Sequence, residues 1–171
     1  MKIFSKALIT VLIAISMLSG VAHSATLEQV KKTQVQNALK TAEGKQIKAA
    51  VAKYSKQYQV DPILAHAVIY TESGYNPKAK SPCGATGIMQ LMPTTFAARQ
   101  VGSDIYDIDQ NIHAGLKTLG GLQAKYRGNI YLALGAYNWG PGNIDRYGIS
   151  PIAKRYIDKV MYHKAIIETA L

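Results

Sequence analysis

The sequence predicts a mainly α-helical protein with a single globular domain. Apolar residues recur at helical spacing in successive segments, and Pro, Asp and Gly stand at the segment ends as helix start and stop signals. The alternation of apolar and polar residues that marks half-buried strands is nearly absent. The chain has 171 residues, which is enough for one domain with a substantial apolar core.

The first 24 residues have the pattern of a secretory signal peptide. Two lysines precede an apolar run that ends near Leu18, and small residues, Ala22 and Ser24, precede the expected cleavage point at Ser24/Ala25. The run is shorter than the roughly 18 to 20 residues that a membrane-spanning helix needs. We therefore expect a protein exported to the periplasm or cell envelope, without a stable membrane anchor after cleavage. An uncleaved N-terminal anchor is the alternative.

The net charge and the residues that could bind a metal or form a disulfide indicate which partners and sites to expect. The net charge is +10, and about +8 once the two lysines of the leader are removed, which favours polyanionic partners. For an exported chain the cell wall is favoured over nucleic acid. Cys83 is the only cysteine, so no disulfide within the chain is expected. The histidines lack a metal-ligand spacing, and we predict no metal and no cofactor.

The segment after the leader, residues 25–47, is polar and rich in lysine. We predict a basic, helical or partly ordered lead-in that breaks near Gly44, followed by the globular domain over residues 48–171. A first helix of this domain is predicted over residues 47–58, where apolar residues recur every three or four positions.

The next helix carries the clearest boundary signals in the chain. Asp61 is placed to cap its N-terminus, Pro62 stands in its first turn, and Gly74 ends it. Most of its surface is apolar, so we expect it to be buried. Residues 74–87 contain five Gly and Pro residues and are predicted to form a loop.

Four further helices complete the predicted domain. Their expected starts are Pro93 or Thr94, Asp107 or Asp109, Ile130, and Pro151. The third of them is short and apolar and should end near Tyr137, where residues 138–142, Asn-Trp-Gly-Pro-Gly, predict a turn.

Glu72 is the residue that most strongly indicates a catalytic site. It falls in the last turn of the helix that starts at Pro62, one of only ten acidic residues in the chain. The negative end of the helix dipole and apolar surroundings both disfavour a carboxylate, so its pKa should be raised. A carboxylic acid that is still protonated near neutral pH can act as a general acid.

Three ordered motifs resemble the soluble lytic transglycosylases, the SLT domain family. They are "ESGYNPKAKSPCGATGIMQLMP" from Glu72, "DIDQNIHAGLKTL" from Asp107 and "ALGAYNWGPGNI" from Ala133. The resemblance implies a lysozyme-like fold of the α+β lysozyme superfamily, with a cleft for the glycan strands of peptidoglycan. The small size, the secretory leader and the lack of added wall-binding repeats resemble the small specialised members that serve secretion, conjugation or pilus systems.

The resemblance also implies site residues. Glu72 matches the single catalytic acid of the family, and Ser73 after it could orient the helix end. The positions implied to bind substrate are Ser73, Ser81, Gly87, Met89, Gln90, Met92, Tyr137, Asn138 and Tyr156.

Several of these positions carry a specific expectation. Gln90 is expected to hydrogen-bond a sugar, Met89 and Met92 to pack on sugar faces, and the Tyr137 hydroxyl to be a candidate partner for the Glu72 carboxyl.

The final helix departs from the family pattern. Tyr156 is kept, but Ile152 and Ala153 stand where the family commonly has Glu-Thr. Any contact made by that second Glu is therefore in doubt here.

The implied reaction uses one acid and no water. Glu72 would protonate the oxygen of the β-1,4 bond between N-acetylmuramic acid and N-acetylglucosamine, and then accept the proton of the muramoyl 6-hydroxyl as a 1,6-anhydro ring closes. The implied partners are peptidoglycan strands and components of an envelope machine for secretion, conjugation or piliation.

Two other functions stay open at this point. A hydrolase of lysozyme type would need a second acid to activate water, and Asp145 is the candidate. A non-catalytic wall-binding protein is the other alternative.

Overall fold

The structure is a computed structural model that describes residues 24–171. The predicted signal peptide lies outside the described residues, apart from its last position. A helix, α1, occupies residues 24–40. It is followed by α2 (Ala42–Tyr58), α3 (Pro62–Ser73), α4 (Pro93–Arg99), α5 (Ile108–Lys125), α6 (Ile130–Trp139), α7 (Pro141–Tyr147) and α8 (Pro151–Ala170).

The mainly helical prediction is confirmed. Extended backbone pairing within residues 24–171 is limited to two isolated bridges, Lys80 with Thr86 and Thr86 with Leu91. These bridges fold the segment between α3 and α4 into a compact loop, where a loop was predicted. Among the helices from residue 24 onward, none has both the length and the apolar character needed to cross a bilayer.

Helix α3 is largely buried and has the predicted boundaries. The Asp61 carboxylate accepts a hydrogen bond from the Ile63 N–H at 2.9 Å, and Gly74 ends the helix with a φ of 60°. Six consecutive residues, Leu64–Ile69, are buried, and α3 packs against both α2 and α8. This packing fixes the last turn of α3, which carries Glu72, against the middle of α8.

The segment 25–47, predicted to be helical or partly ordered with a break near Gly44, lies in α1 and the start of α2, and the break between them is at Thr41. The Thr41 hydroxyl accepts a hydrogen bond from the Gly44 N–H at 2.9 Å and so caps α2. A Cβ at Gly44 would collide with the backbone of Leu39. Gly44 is therefore needed for the close approach of α1 and α2, and it does not interrupt a helix.

Helix α1 contributes to the main apolar core. Val35 is fully buried and Leu39 is 3% exposed, and both belong to the cluster that also contains Ile69 of α3. The Tyr70 hydroxyl donates a hydrogen bond to the Gln34 side chain at 3.0 Å. The second half of α1 is thus packed on the globular domain, whereas residues 24–30 are exposed.

The C-terminal half contains one helix that the sequence did not predict. α6 continues to Trp139, and Gly140, with a φ of 88°, is the only residue between α6 and α7. Ile144 of α7 is buried next to Ala136 and Ala153. The predicted turn over residues 138–142 is therefore shorter than expected, because Pro141 starts a seven-residue helix that the burial of Ile144 stabilises.

Candidate active site

Glu72 lies in a cleft between α3, α8 and the loop before α4. Its side chain is half-buried, and its Oε1 atom accepts a hydrogen bond from the Tyr156 hydroxyl at 2.7 Å. Glu72 and Gln90 both line two neighbouring cavities, one of about 400 Å³ and one of about 700 Å³. The carboxyl therefore lies where the two cavities meet.

The surroundings of Glu72 keep it protonated to unusually high pH. Burial raises the pKa of Glu72 from 4.5 to about 7, although the hydrogen bond from Tyr156 and the charge of Lys159 act in the opposite direction. At neutral pH this carboxyl can therefore both donate and accept a proton, which is the property that acid–base chemistry requires.

Tyr137 does not make the contact suggested for it. Its hydroxyl donates to the backbone oxygen of Met89 at 2.9 Å, whereas Tyr156 on α8 donates to Glu72. Tyr137 still lines the 400 Å³ cavity beside Glu72. Burial, and to a smaller extent the charge of Glu72, raise the pKa of Tyr137 well above 10, so the phenol stays neutral.

The loop that carries Gln90 is held by Asn111, a residue of α5 that the sequence did not single out. Its Oδ1 atom accepts a hydrogen bond from the Met89 N–H at 2.9 Å, and its Nδ2 atom donates to the backbone oxygens of Thr86 (3.2 Å) and Ile105 (2.7 Å). Asn111 is fully buried. One side chain thus fixes both ends of the segment 86–89.

Two positions expected in the cleft are core positions instead. Met89 is fully buried, and a Cβ at Gly115 of α5 would collide with its sulfur. Gly87 has a φ of 83° and no room for a Cβ, which would lie 2.6 Å from the Ile105 oxygen. Both support the loop, and neither presents a surface to a sugar. The Asn111–Gly115 spacing was visible in the second motif and could have indicated this packing.

Gln90 reaches the cleft through an unusual backbone conformation. Its φ is 47°, in the left-handed region. The side-chain nitrogen donates to the backbone oxygens of Ala79 (3.0 Å) and Gly87 (2.9 Å). The amide nitrogen is therefore committed to the loop, and the side-chain oxygen is the group through which Gln90 can accept a hydrogen bond from a ligand.

The side chains of Ser73 and Ser81 form hydrogen bonds that hold the backbone around the cleft. The Ser73 hydroxyl donates to the backbone oxygen of Ile88 at 2.7 Å and so fastens the end of α3 to the loop. The Ser81 hydroxyl accepts a hydrogen bond from the Ala85 N–H at 3.0 Å and closes the preceding turn. Ser73 lines the larger cavity and Ser81 the smaller one.

Of the remaining predicted positions, Met92 and Asn138 line the cleft, and Tyr156 supports the Glu72 side chain. Met92 is 44% exposed, and Met92 and Asn138 line the 400 Å³ cavity as well as a third cavity of about 540 Å³ that extends past Trp139. Tyr156 is buried and supports Glu72 from α8. Wall residues that the sequence did not single out are Cys83, Ala85, Leu91, Thr95 and Thr118 in the smaller cavity, with Lys31, Lys80 and Lys159 in the larger.

Glu72 has no acidic neighbour in the cleft. It is the only Asp or Glu among the described residues that line its two cavities. Asp145 lies exposed on α7, where its carboxylate accepts hydrogen bonds from Lys125 (2.6 Å) and Tyr126 (2.9 Å). Within residues 24–171 no group of His, Cys, Asp and Glu side chains could hold a metal ion.

Comparison with known proteins identifies the family. The model of the transglycosylase SLT domain matches residues 49–158. The transglycosylase of Enterobacteria phage PRD1 is 42% identical over 108 residues, which cover 63% of this chain and 38% of the phage protein. Membrane-bound lytic murein transglycosylase F of Pseudoalteromonas translucida is 34% identical over 148 residues, covering 68% of this chain and 31% of the relative. This chain thus spans well under half of the length of either relative.

The fold comparison agrees with the sequence comparison. The 70-kDa soluble lytic transglycosylase of Escherichia coli superposes with a TM-score of 0.64 and 25% identity, over 71% of this chain and 24% of that chain. The predicted lysozyme-like fold is confirmed. From the matched model, the relatives and the fold together, the chain belongs to the transglycosylase SLT domain family.

Proposed function

We propose that this protein is a peptidoglycan lytic transglycosylase that cleaves the β-1,4 bond between N-acetylmuramic acid and N-acetylglucosamine without water. The observation that carries this proposal is Glu72, a half-buried carboxyl with a pKa of about 7 and no acidic neighbour among the described cleft residues. The names of the relatives, which are transglycosylases and lytic murein transglycosylases, support the same reaction and substrate.

The reaction balances with one carboxyl group. Glu72 donates its proton to the glycosidic oxygen as the bond from that oxygen to the muramoyl C1 breaks. The Glu72 carboxylate then takes the proton of the 6-hydroxyl, whose oxygen forms a bond to C1 and closes the 1,6-anhydro ring. The carboxyl is restored to its starting state, and no water enters.

The neighbours of Glu72 fit a residue that changes from acid to base. Tyr156 donates a hydrogen bond to the carboxylate that forms, and the Lys159 ammonium favours the same charged state. Glycosidases with two carboxylates hold them roughly 5 to 9.5 Å apart. The described walls of the cleft offer Glu72 no such partner, which supports transglycosylation over hydrolysis.

Mass spectrometry of the unreduced products tests this proposal. The protein without its leader should release muropeptides that are one water lighter than the corresponding lysozyme products. The variant Asp145→Asn should release the same products at the same rate, because Asp145 is bound to Lys125 away from the cleft cavities. Hydrated products that disappear in Asp145→Asn would establish a hydrolase, and binding of peptidoglycan without release would establish a wall-binding protein.

The pH dependence of the reaction should depend on Tyr156. Tyr156→Phe removes a hydrogen bond that lowers the Glu72 pKa, so the pKa should rise by about 1. The alkaline limb of kcat/KM should move up by about 1 pH unit, and the maximal rate should fall roughly tenfold because the carboxylate loses its donor. Tyr147→Phe, at an exposed site on α7, should leave the profile unchanged. Superimposable profiles for wild type and Tyr156→Phe would show that this hydrogen bond plays no part in catalysis.

We also propose that the protein acts in the periplasm, where it opens the wall locally for a secretion, conjugation or pilus machine. The predicted secretory leader and the resemblance to small specialised members of the family support this role. Affinity purification of the tagged protein from cells that assemble such a machine tests it. Recovery of no machine component after cross-linking would contradict it.

A further inference from the structure

The larger cavity next to Glu72 is strongly basic. Its volume is about 700 Å³, and Lys31, Lys80 and Lys159 are among the residues that line it. Glu72 is the only acidic residue among its described lining residues, and none of the three lysines forms an ion pair with a carboxylate of residues 24–171. Three cations are thus concentrated beside a group that is neutral up to a pH of about 7.

Part of this cavity lies outside the segment that the family shares. The family model matches residues 49–158, whereas Lys31 comes from α1, and Lys159 and His163 come from the part of α8 that follows residue 158. The cavity is therefore built partly by residues outside the segment that the family model matches.

Lys31 is positioned by a chain of hydrogen bonds. Its Nζ atom lies 3.5 Å from Nε2 of His163, whose Nδ1 atom lies 2.8 Å from the Thr71 hydroxyl, and that hydroxyl donates to the Ala67 oxygen at 2.7 Å. Burial, with the charges of Lys31 and Lys159, lowers the pKa of His163 to about 4. The ring is therefore neutral at neutral pH, so Nδ1–H can donate to Thr71 while Nε2 accepts from Lys31. The Lys31 ammonium also makes a cation–π contact with Tyr162, 4.8 Å from the centroid of the phenol ring, which restrains it further.

We propose that this cavity binds the free carboxylates of the peptide stem, so that the enzyme prefers peptidoglycan whose stems carry their negative charge. The inference rests on the proposed function, since it assigns a subsite of the same cleft. The glycan backbone is uncharged and gives three ammonium groups no partner. The muramoyl sugar that reacts at Glu72 carries the peptide stem, and the carboxylates of the stem are the anions nearest to the reacting bond.

The test compares two substrates that differ in charge. Peptidoglycan freed of phosphate-bearing polymers is divided, and in one half the free carboxylates are converted to methylamides. The wild-type protein should release fragments from the charged substrate about tenfold faster than from the amidated one, mainly through a lower KM, and the difference should shrink at high salt. The double variant Lys31→Gln/Lys80→Gln should reduce this ratio to about twofold. Lys159 is kept, because its charge also lowers the Glu72 pKa.

Control variants keep the outcomes distinct. Lys40→Gln changes the same charge at an exposed end of α1 and should retain the wild-type ratio, and equal melting temperatures show that the variants are folded. Equal wild-type rates on both substrates, or an unchanged ratio in the double variant, would overturn the subsite but leave the transglycosylase proposal intact. Co-sedimentation of Glu72→Gln with the two substrates measures the same preference without turnover. A protein that sediments preferentially with the charged substrate yet releases nothing would contradict only the proposed function.

Discussion

Replacement of Glu72 by glutamine (Glu72→Gln) is expected to lower the release of glycan fragments by about a thousandfold or more. The amide cannot supply the proton that the glycosidic oxygen needs, and general acid–base groups contribute roughly 10² to 10⁴ to rate. Its oxygen can still accept the Tyr156 hydrogen bond, so the local geometry is retained. Release of muropeptides over time, measured by chromatography, checks this expectation.

The same substitution should make the protein more stable at alkaline pH. A Glu72 pKa raised from 4.5 to about 7 corresponds to about 3 kcal/mol of stability. This stability is fully present below pH 4.5, is lost as the pH rises to about 7, and is absent above that. Glu72→Gln avoids the loss, so its melting temperature should match wild type at pH 4 and exceed it at pH 9.

A matched control separates these effects from a general change of charge. Glu168→Gln, on the exposed surface of α8, should change neither the rate nor the difference in melting temperature between pH 4 and pH 9. Full activity of Glu72→Gln would disprove the acid–base role of this residue, whatever its stability.

The largest loss of stability is expected for Asn111→Ala. The substitution leaves the Met89 N–H and the Ile105 oxygen without their buried partner, while the Thr86 oxygen keeps its hydrogen bond from the Leu91 N–H. The total cost should be about 3 kcal/mol. For a domain of this size the melting temperature should fall by about 10 °C. Calorimetry or thermal circular dichroism measures the change.

Activity should fall together with stability in Asn111→Ala, even at temperatures where the variant is folded. Gln90 follows the anchored segment directly and lines both cavities beside Glu72. Asn37→Ala, at an exposed position of α1, is the control and should leave both quantities unchanged. A fully active, fully stable Asn111→Ala variant would show that the loop does not depend on this anchor.

The position of Glu72 could be predicted because it depends on local signals. Asp61 and Gly74 fix the ends of α3, and the apolar sequence between them requires burial, so the last turn had to lie beside the core. The raised pKa follows from the same burial. No knowledge of the other helices was needed for either conclusion.

The partner of Glu72 could not be predicted in the same way. Tyr137 and Tyr156 both occupy motif positions, and both lie close enough for the Glu72 charge to raise their pKa. Which hydroxyl reaches the carboxyl depends on how α6 and α8 are oriented against α3, and that is a property of long-range packing. The sequence motifs therefore identified both tyrosines as site residues but did not show which of them forms the hydrogen bond with Glu72.

The sequence also did not show which side chains of the loop point into the core and which into the cleft. Met89 and Gln90 are adjacent, yet the first is fully buried and the second lines the cleft. The left-handed backbone at Gln90 turns its side chain outward, and Gly115 opens the space that Met89 fills. Neither effect can be read from residue type alone.

Two helices at the ends of the described chain contribute to the apolar core. The buried residues are Val35 and Leu39 of α1 and Val160 and Ile167 of α8. All four lie outside the matched segment 49–158. The apolar core therefore extends beyond the matched segment, and truncation to residues 49–158 would remove core residues at both ends. Because Lys31 and His163 lie on the same two helices, substitutions there would act on the core and on the proposed carboxylate subsite together.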